Sequence, residues 1–142
     1  MLFQKILDIF SKNNNIKTLF LVDILYMKDL NAIYDFKNGD FIIKQLEFIL
    51  KNKTKELIKQ ELKRNITIKV KNTHADVFEI LLLDNLSIQE IIIVKNLIYE
   101  CIISNNFKLL NSNASINIDI TIGCAKSEDK NIKIYAEKAL HN

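Results

Sequence analysis

Two carboxylates stand out by position. Asp23 lies near the end of the almost continuously apolar run Thr18 to Ile24, and Asp76 closes the polar run from Lys71 that leads into a second apolar stretch, Val77 to Leu83. Brought together by folding, this pair and a nearby main-chain carbonyl form a hard oxygen site suited to Mg²⁺, which takes its remaining ligands from water and substrate phosphates. An aspartate at a strand end also suits a turn or a cap, so the surrounding elements decide between these readings. Cys101 and Cys124 lack the CxxC spacing of a zinc site and make no disulfide framework. Their simplest reading is two small buried hydrophobes.

The elements that would position the two acids follow from periodicity. Thr18 to Ile24 reads as a central strand covered on both faces. Ile66 to Val70 and Val77 to Leu83 are two further strands, joined by the polar stretch Lys71 to Asp76 as a hairpin connection. Ile116, Ile118, Ile120 and Ile122 alternate with polar residues, the period of two expected of a half-buried strand. A short helix spans Met27 to Tyr34, and a longer one runs from Asp40 to about Lys63 with Ile42, Leu46, Ile49, Leu50, Leu57 and Leu62 at helical spacing. Ser87 and Glu90 form a capping box opening a helix to about Ser104, with Ile88, Ile91, Ile92, Ile98 and Ile102 inward. A helix before the first strand and an amphipathic one after Ser127 complete the order. This is an α+β fold, the ferredoxin-like βαββαβ arrangement, with helices on one face of an antiparallel sheet. In that topology the first and third strands are antiparallel neighbours, so Asp23 and Asp76 meet.

Composition sets the outer bounds. A chain of 142 residues, 49% hydrophobic and 26% charged, makes one globular domain. Twenty basic against 17 acidic residues leave a net charge of +3, and Arg64 is the only arginine, which argues against the basic stripe of a nucleic-acid binder. An RNA-recognition module on a related fold would need exposed aromatics on its central strands. Phe20 and Phe78 are the only candidates there, and both read as core. The longest apolar stretch, Ile91 to Ile103, is broken by Lys95, Asn96 and Glu100, too polar for a membrane-spanning helix. Lys5 and Asp8 within the first ten residues are unlike a signal peptide. A cytoplasmic domain without a membrane segment is expected.

Residues Asp23 to Asp40 read DILYMKDLNAIYDFKNGD, which resembles without a gap the GGDEF-family motif D-[IV]-D-x-F-K-x-[IV]-N-D-x-x-G-H-x-x-G-D. Asp23, Ile24, Lys28, Asn31, Gly39 and Asp40 match it. The stretch from His74 to Phe78 is similar to the five-residue signature that gives the family its name. Ile118 to Ala125 resembles the family strand ending in G-[IV]-A, and Ala136 to His141 its A-D-x-A-L-Y helix. The resemblance implies a relative of the bacterial diguanylate cyclases, in which two domains each hold one GTP and join them into cyclic di-GMP. By the family pattern Asp23, the Ile24 carbonyl and Asp76 would hold Mg²⁺ against the phosphates. Asn31 and Asp40 would read guanine, with Lys28 also on the nucleotide. On the residues alone, Asn31 is equally a polar helix-face residue and Asp40 an N-cap beside Gly39.

The departures from the motif are as telling as the matches. The two signature glycines, which let backbone N–H groups approach phosphate, are His74 and Ala75. The fourth signature residue, an acid in active relatives, is Val77. Leu25 replaces the second acid of the first motif, while Ala32, Asp35 and Phe36 replace its N-D partner, glycine and histidine. The inhibitory R-x-x-D has no counterpart near Asn65 and Ile68, so feedback inhibition through it is not expected. Losing a metal-site carboxylate typically costs about 1.4 to 2.8 kcal/mol, ten- to hundredfold. The chain is also longer than the family norm between Asp40 and His74, with an extended helix or insertion expected around Lys51 to Arg64. It begins just past one family motif and stops before others, so residues 1–142 read as a single degenerate GGDEF domain cut from a longer signalling protein. Its expected partners are GTP, a neighbouring output domain such as a cyclic di-GMP phosphodiesterase, or a second copy as homodimer partner. The alternatives are a weakly active cyclase using Asp23 and Asp76 alone and an interaction module that binds no nucleotide.

Overall fold

The computed structural model describes residues 18–74 and 76–126; the expected first and last helices lie outside them. The apolar run forms strand β1, Thr18–Ile24, as expected, and every residue in it except Asp23 is buried. β1 pairs antiparallel with β3 (Val77–Leu82) on one side and with β6 (Ile120–Lys126) on the other, while β2 (Ile68–His74) pairs antiparallel with β3 at the edge. The order is β2-β3-β1-β6. Phe20, Val22 and Ile24 of β1 join Phe78, Ile80, Ile120 and Ile122 in one apolar cluster beneath the described helices. On the opposite face Leu19, Leu21, Val77, Leu81 and Ala125 are buried too, in keeping with a central strand covered on both faces.

Helices α1 (Met27–Tyr34) and α2 (Phe36–Ile49) are separated by Asp35 alone. α2 therefore begins four residues before the expected start at Asp40, because the Asp35 carboxylate accepts a hydrogen bond from the Asn38 N–H at 2.9 Å and caps it. A π-helical turn, Leu50–Thr54, links α2 to α3 (Lys55–Leu62). The reason lies in spacing: Ile42, Leu46, Leu50, Thr54 and Ile58 are buried at intervals of four. Such a stripe drifts by about 40° per step on an α-helix of 3.6 residues per turn, and the wider turn brings it back to the core. The extra length expected around Lys51 to Arg64 takes this form, in keeping with π-turns as local expansions of a helix.

Three further expectations are corrected. β2 starts at Ile68 and runs on to His74 where a hairpin connection is expected; the strand extends because Lys71, Asn72 and His74 pair with β3, with a bulge between Asn72 and His74. Helix α4 (Ile88–Ile103) has the capping box of Ser87 and Glu90, but its buried residues are Val94, Ile98, Cys101 and Ile102. Ile88 and Ile92 are exposed, since a helix apolar nearly all round gives periodicity no face to select. The alternating isoleucines do not form one strand: Ile116 ends β5 (Ser115–Ile116), which pairs with β4 (Phe107–Lys108), Ile118 lies between strands, and Ile120 and Ile122 belong to β6. Gln45 fastens β4 to α2: its Nε2 donates to the Lys108 carbonyl at 2.9 Å and its Oε1 accepts from the Lys108 N–H at 2.8 Å.

Candidate functional site

The end of β1 and the β2–β3 turn meet as the topology requires. The Ile24 N–H donates to the Asp76 carbonyl at 2.9 Å, and Asp23 faces Val77 across the ladder. On its other flank the Leu25 N–H donates to the Asp119 carbonyl at 2.9 Å. Asn72 ties the turn from within, its Nδ2 donating to the Val77 carbonyl at 2.9 Å. Among the signature positions, Phe78 is fully buried in the core and Val77 is buried beside Asp23. Ala75 and the side chain of His74 lie outside the described residues.

From the end of β1 the chain passes through Tyr26 at φ 61° and enters α1. This places Met27 in the core, Lys28 in solvent and Asn31 half-buried. Gly39 of α2 packs directly on Asn31: a Cβ there would collide with Asn31 Oδ1 and come within 2.9 Å of Met27 Cε. Only glycine permits that approach. Asn31 Oδ1 is buried by this contact and has no hydrogen-bond partner among the described residues. Asp35 between the helices sits at φ 75°, ψ 168°, a region essentially reserved for glycine that costs another residue about 1 to 3 kcal/mol. The resemblance aligned this very residue with a family glycine.

A cleft of about 480 Å³ opens beside these elements, lined by Met27, Lys28, Asn31, Ala32, Phe36 and Asp76. Three of the sequence-derived candidates, Lys28, Asn31 and Asp76, thus share one cavity. Asp23 adjoins it through the strand pairing and does not line it. Asp40, expected to act beside Asn31, is exposed and lines a separate depression of about 270 Å³ with Lys37, Phe41, Lys44 and Leu110. Its position is interior to α2, so it is not the N-cap; Asp35 is. Phe36 was noted in the sequence only as a replacement for a family histidine, and its place in the cleft wall depends on the irregular backbone at Asp35, which no periodicity reports.

Asp23 and Asp76 supply two carboxylates from adjoining backbone positions, and no group of three His, Cys, Asp or Glu side chains able to hold a metal occurs among the described residues. Two carboxylates with a main-chain carbonyl suit a cation that keeps water and phosphate oxygens as its other ligands, so the residues fit. Both cysteines are free, Cys101 buried and Cys124 half-buried. No described helix is long and apolar enough to cross a membrane.

No protein-family model and no curated protein matches the sequence. Solved structures do. The GGDEF domain of FimX from Pseudomonas aeruginosa superposes with a TM-score of 0.67 at 13% identity, over 98% of this chain and 83% of that one. The GGDEF domain of DgcB from Caulobacter crescentus, in complex with c-di-GMP, gives 0.64 at 13% identity over 96% and 77%. The diguanylate cyclase SiaD from Pseudomonas aeruginosa, in complex with its activator SiaC, gives 0.61 at 13% identity over 98% of this chain and 50% of SiaD. The fold is that of GGDEF domains, as the motif resemblance implied.

Proposed function

We propose that this chain is a catalytically silent GGDEF domain of cyclic di-GMP signalling, serving as a regulatory module that takes up GTP at the end of β1 and meets a protein partner. The observation that carries the reading is the divided state of the hairpin. Asp76 lines a cleft with Lys28 and Asn31, whereas the position of the signature's second acid is Val77, buried against Asp23. Lys28 would face phosphate, Asn31 the base, and Asp23, Asp76 and the Ile24 carbonyl would hold Mg²⁺. When bound, that ion would neutralise phosphate charge and orient the nucleotide. With valine in place of the signature's second acid, no described residue takes that acid's part toward an attacking hydroxyl, so the bound nucleotide would persist. SiaD bound to its activator SiaC supports the partner half of the reading by analogy of fold.

Calorimetric titration of the chain with GTP and Mg²⁺ should give saturable heat without release of cyclic di-GMP. No heat at millimolar nucleotide would leave the protein-contact role alone. A weakly active cyclase is the second reading, favoured by the meeting of β1's end with Asp76; cyclic di-GMP formed by the protein and lost in Asp76→Asn would establish it.

A further inference from the structure

We propose that the cleft selects a purine ring by stacking it on Phe36 and does not separate guanine from adenine, so that ATP and GTP compete for it on nearly equal terms. This deepens the nucleotide-binding reading above and rests on it.

Phe36 is the first residue of α2 and is 74% exposed. The buried face of α2 is made by Gly39, Ile42 and Leu46, so the ring is not part of the core. It lines the cleft together with the polar side chains of Lys28, Asn31 and Asp76. A bare aromatic face in a nucleotide-sized cavity is a stacking platform. Stacking is worth about 1 to 3 kcal/mol per base and tolerates any base with enough π-surface, which favours the two-ring purines.

Telling guanine from adenine takes more than a platform. Guanine differs by its N1–H and 2-amino donors, which need acceptors placed for them. Asn31 has an acceptor, but its Oδ1 is buried against Gly39, leaving the amide N–H groups to face acceptors such as N7, which both purines carry. Asp76, which would hold Mg²⁺ in the reading above, is taken up at the phosphates and does not read the base edge. The remaining acceptor, Asp40, lines the neighbouring depression between Lys37 at i−3 and Lys44 at i+4. The cleft therefore has the means to recognise a purine nucleotide and lacks the means to choose between the two.

The test is calorimetry on the 142-residue chain with Mg²⁺ and GTP, ATP, CTP or UTP in turn, repeated with Phe36→Leu and Phe36→Tyr. Expected are GTP and ATP dissociation constants within about threefold of each other and pyrimidine nucleotides at least tenfold weaker. Phe36→Leu should weaken both purines about tenfold, or about 1.4 kcal/mol, and Phe36→Tyr should keep them. Because the ring is exposed, both variants should melt like the parent. GTP binding more than tenfold tighter than ATP, or a folded Phe36→Leu that binds purines undiminished, overturns this inference and leaves the nucleotide-binding reading standing. Binding of none of the four overturns both.

Discussion

Arg64, Asp84, Ser87 and Glu90 satisfy one another at one end of the sheet; at the other, Asp35 holds a backbone made for glycine and Asn31 buries an oxygen without a hydrogen-bond partner among the described residues. Arg64 Nε lies 3.0 Å from Asp84 and its Nη1 2.7 Å from Glu90, while the Asp84 carbonyl accepts from Thr18 Oγ1 at 2.9 Å. That end joins α3 to β2 and β3 to α4, and its polar groups serve the fold. The other end joins β1 to α1 and α1 to α2, and carries every sequence-derived candidate from Asp23 to Asp40. Strain and unpaired polar atoms persist only where surrounding structure holds them in place, and they gather where ligands bind. The contrast supports placing the proposed site at the β1 end on grounds separate from the motif.

Restoring an acid at the hairpin should have the largest effect. Val77 is 6% exposed and faces Asp23, so Val77→Glu sets two carboxylates together with little water around them. The expected loss is about 3 kcal/mol in urea unfolding, partly regained on adding Mg²⁺, whose charge would offset that of the pair. A variant as stable as the parent without Mg²⁺ would mean that this end is open to solvent after all.

Gly39→Ala comes next. The added methyl strikes Asn31 and Met27, and overpacking of this kind costs about 2 kcal/mol. GTP affinity should fall with it, because Asn31 is displaced from the cleft wall. Asp35→Gly runs the other way. It relieves the left-handed strain while giving up a cap whose replacement by glycine costs only a few tenths of a kcal/mol. A gain of about 1 kcal/mol is expected; a loss would show that the Asp35 carboxylate matters more than its backbone.

How far the sequence alone reached follows the same division. β1 was legible to the residue because a central strand buried on both faces is one unbroken apolar run, and Ser87 with Glu90 was legible because a capping box is local. The meeting of Asp23 with Asp76 followed from topology. What escaped depended on tertiary fit: the start of α2 is set by the strained Asp35, the π-turn by a stripe of fours, and the outward turn of Ile88 and Ile92 by which face of α4 the core happened to need. Asp40 falls inside α2, which begins four residues earlier than periodicity suggests, and it lines a depression apart from the one that Asn31 lines.

The satisfied end supplies the smallest and cleanest test. The Ser87 N–H, and after it the Arg64 guanidinium, hold the Glu90 carboxyl below its ordinary value of 4.5, with desolvation opposing them. A carboxylate depressed in the folded state stabilises above its unfolded value, and that contribution is lost as pH falls through the folded one. Glu90 and Arg64 are both partly in solvent, 23% and 38% exposed at their side chains, so screening keeps the effect to about 0.5 kcal/mol. Glu90→Gln should therefore be less stable than the parent by that amount at pH 7, and the gap should close as unfolding is measured at successively lower pH below 4.5. No gap at pH 7 would assign the contribution to the capping geometry, which glutamine can also make, and not to charge. Either way the change should leave nucleotide binding untouched, since none of these residues lines the cleft at the far end of the sheet.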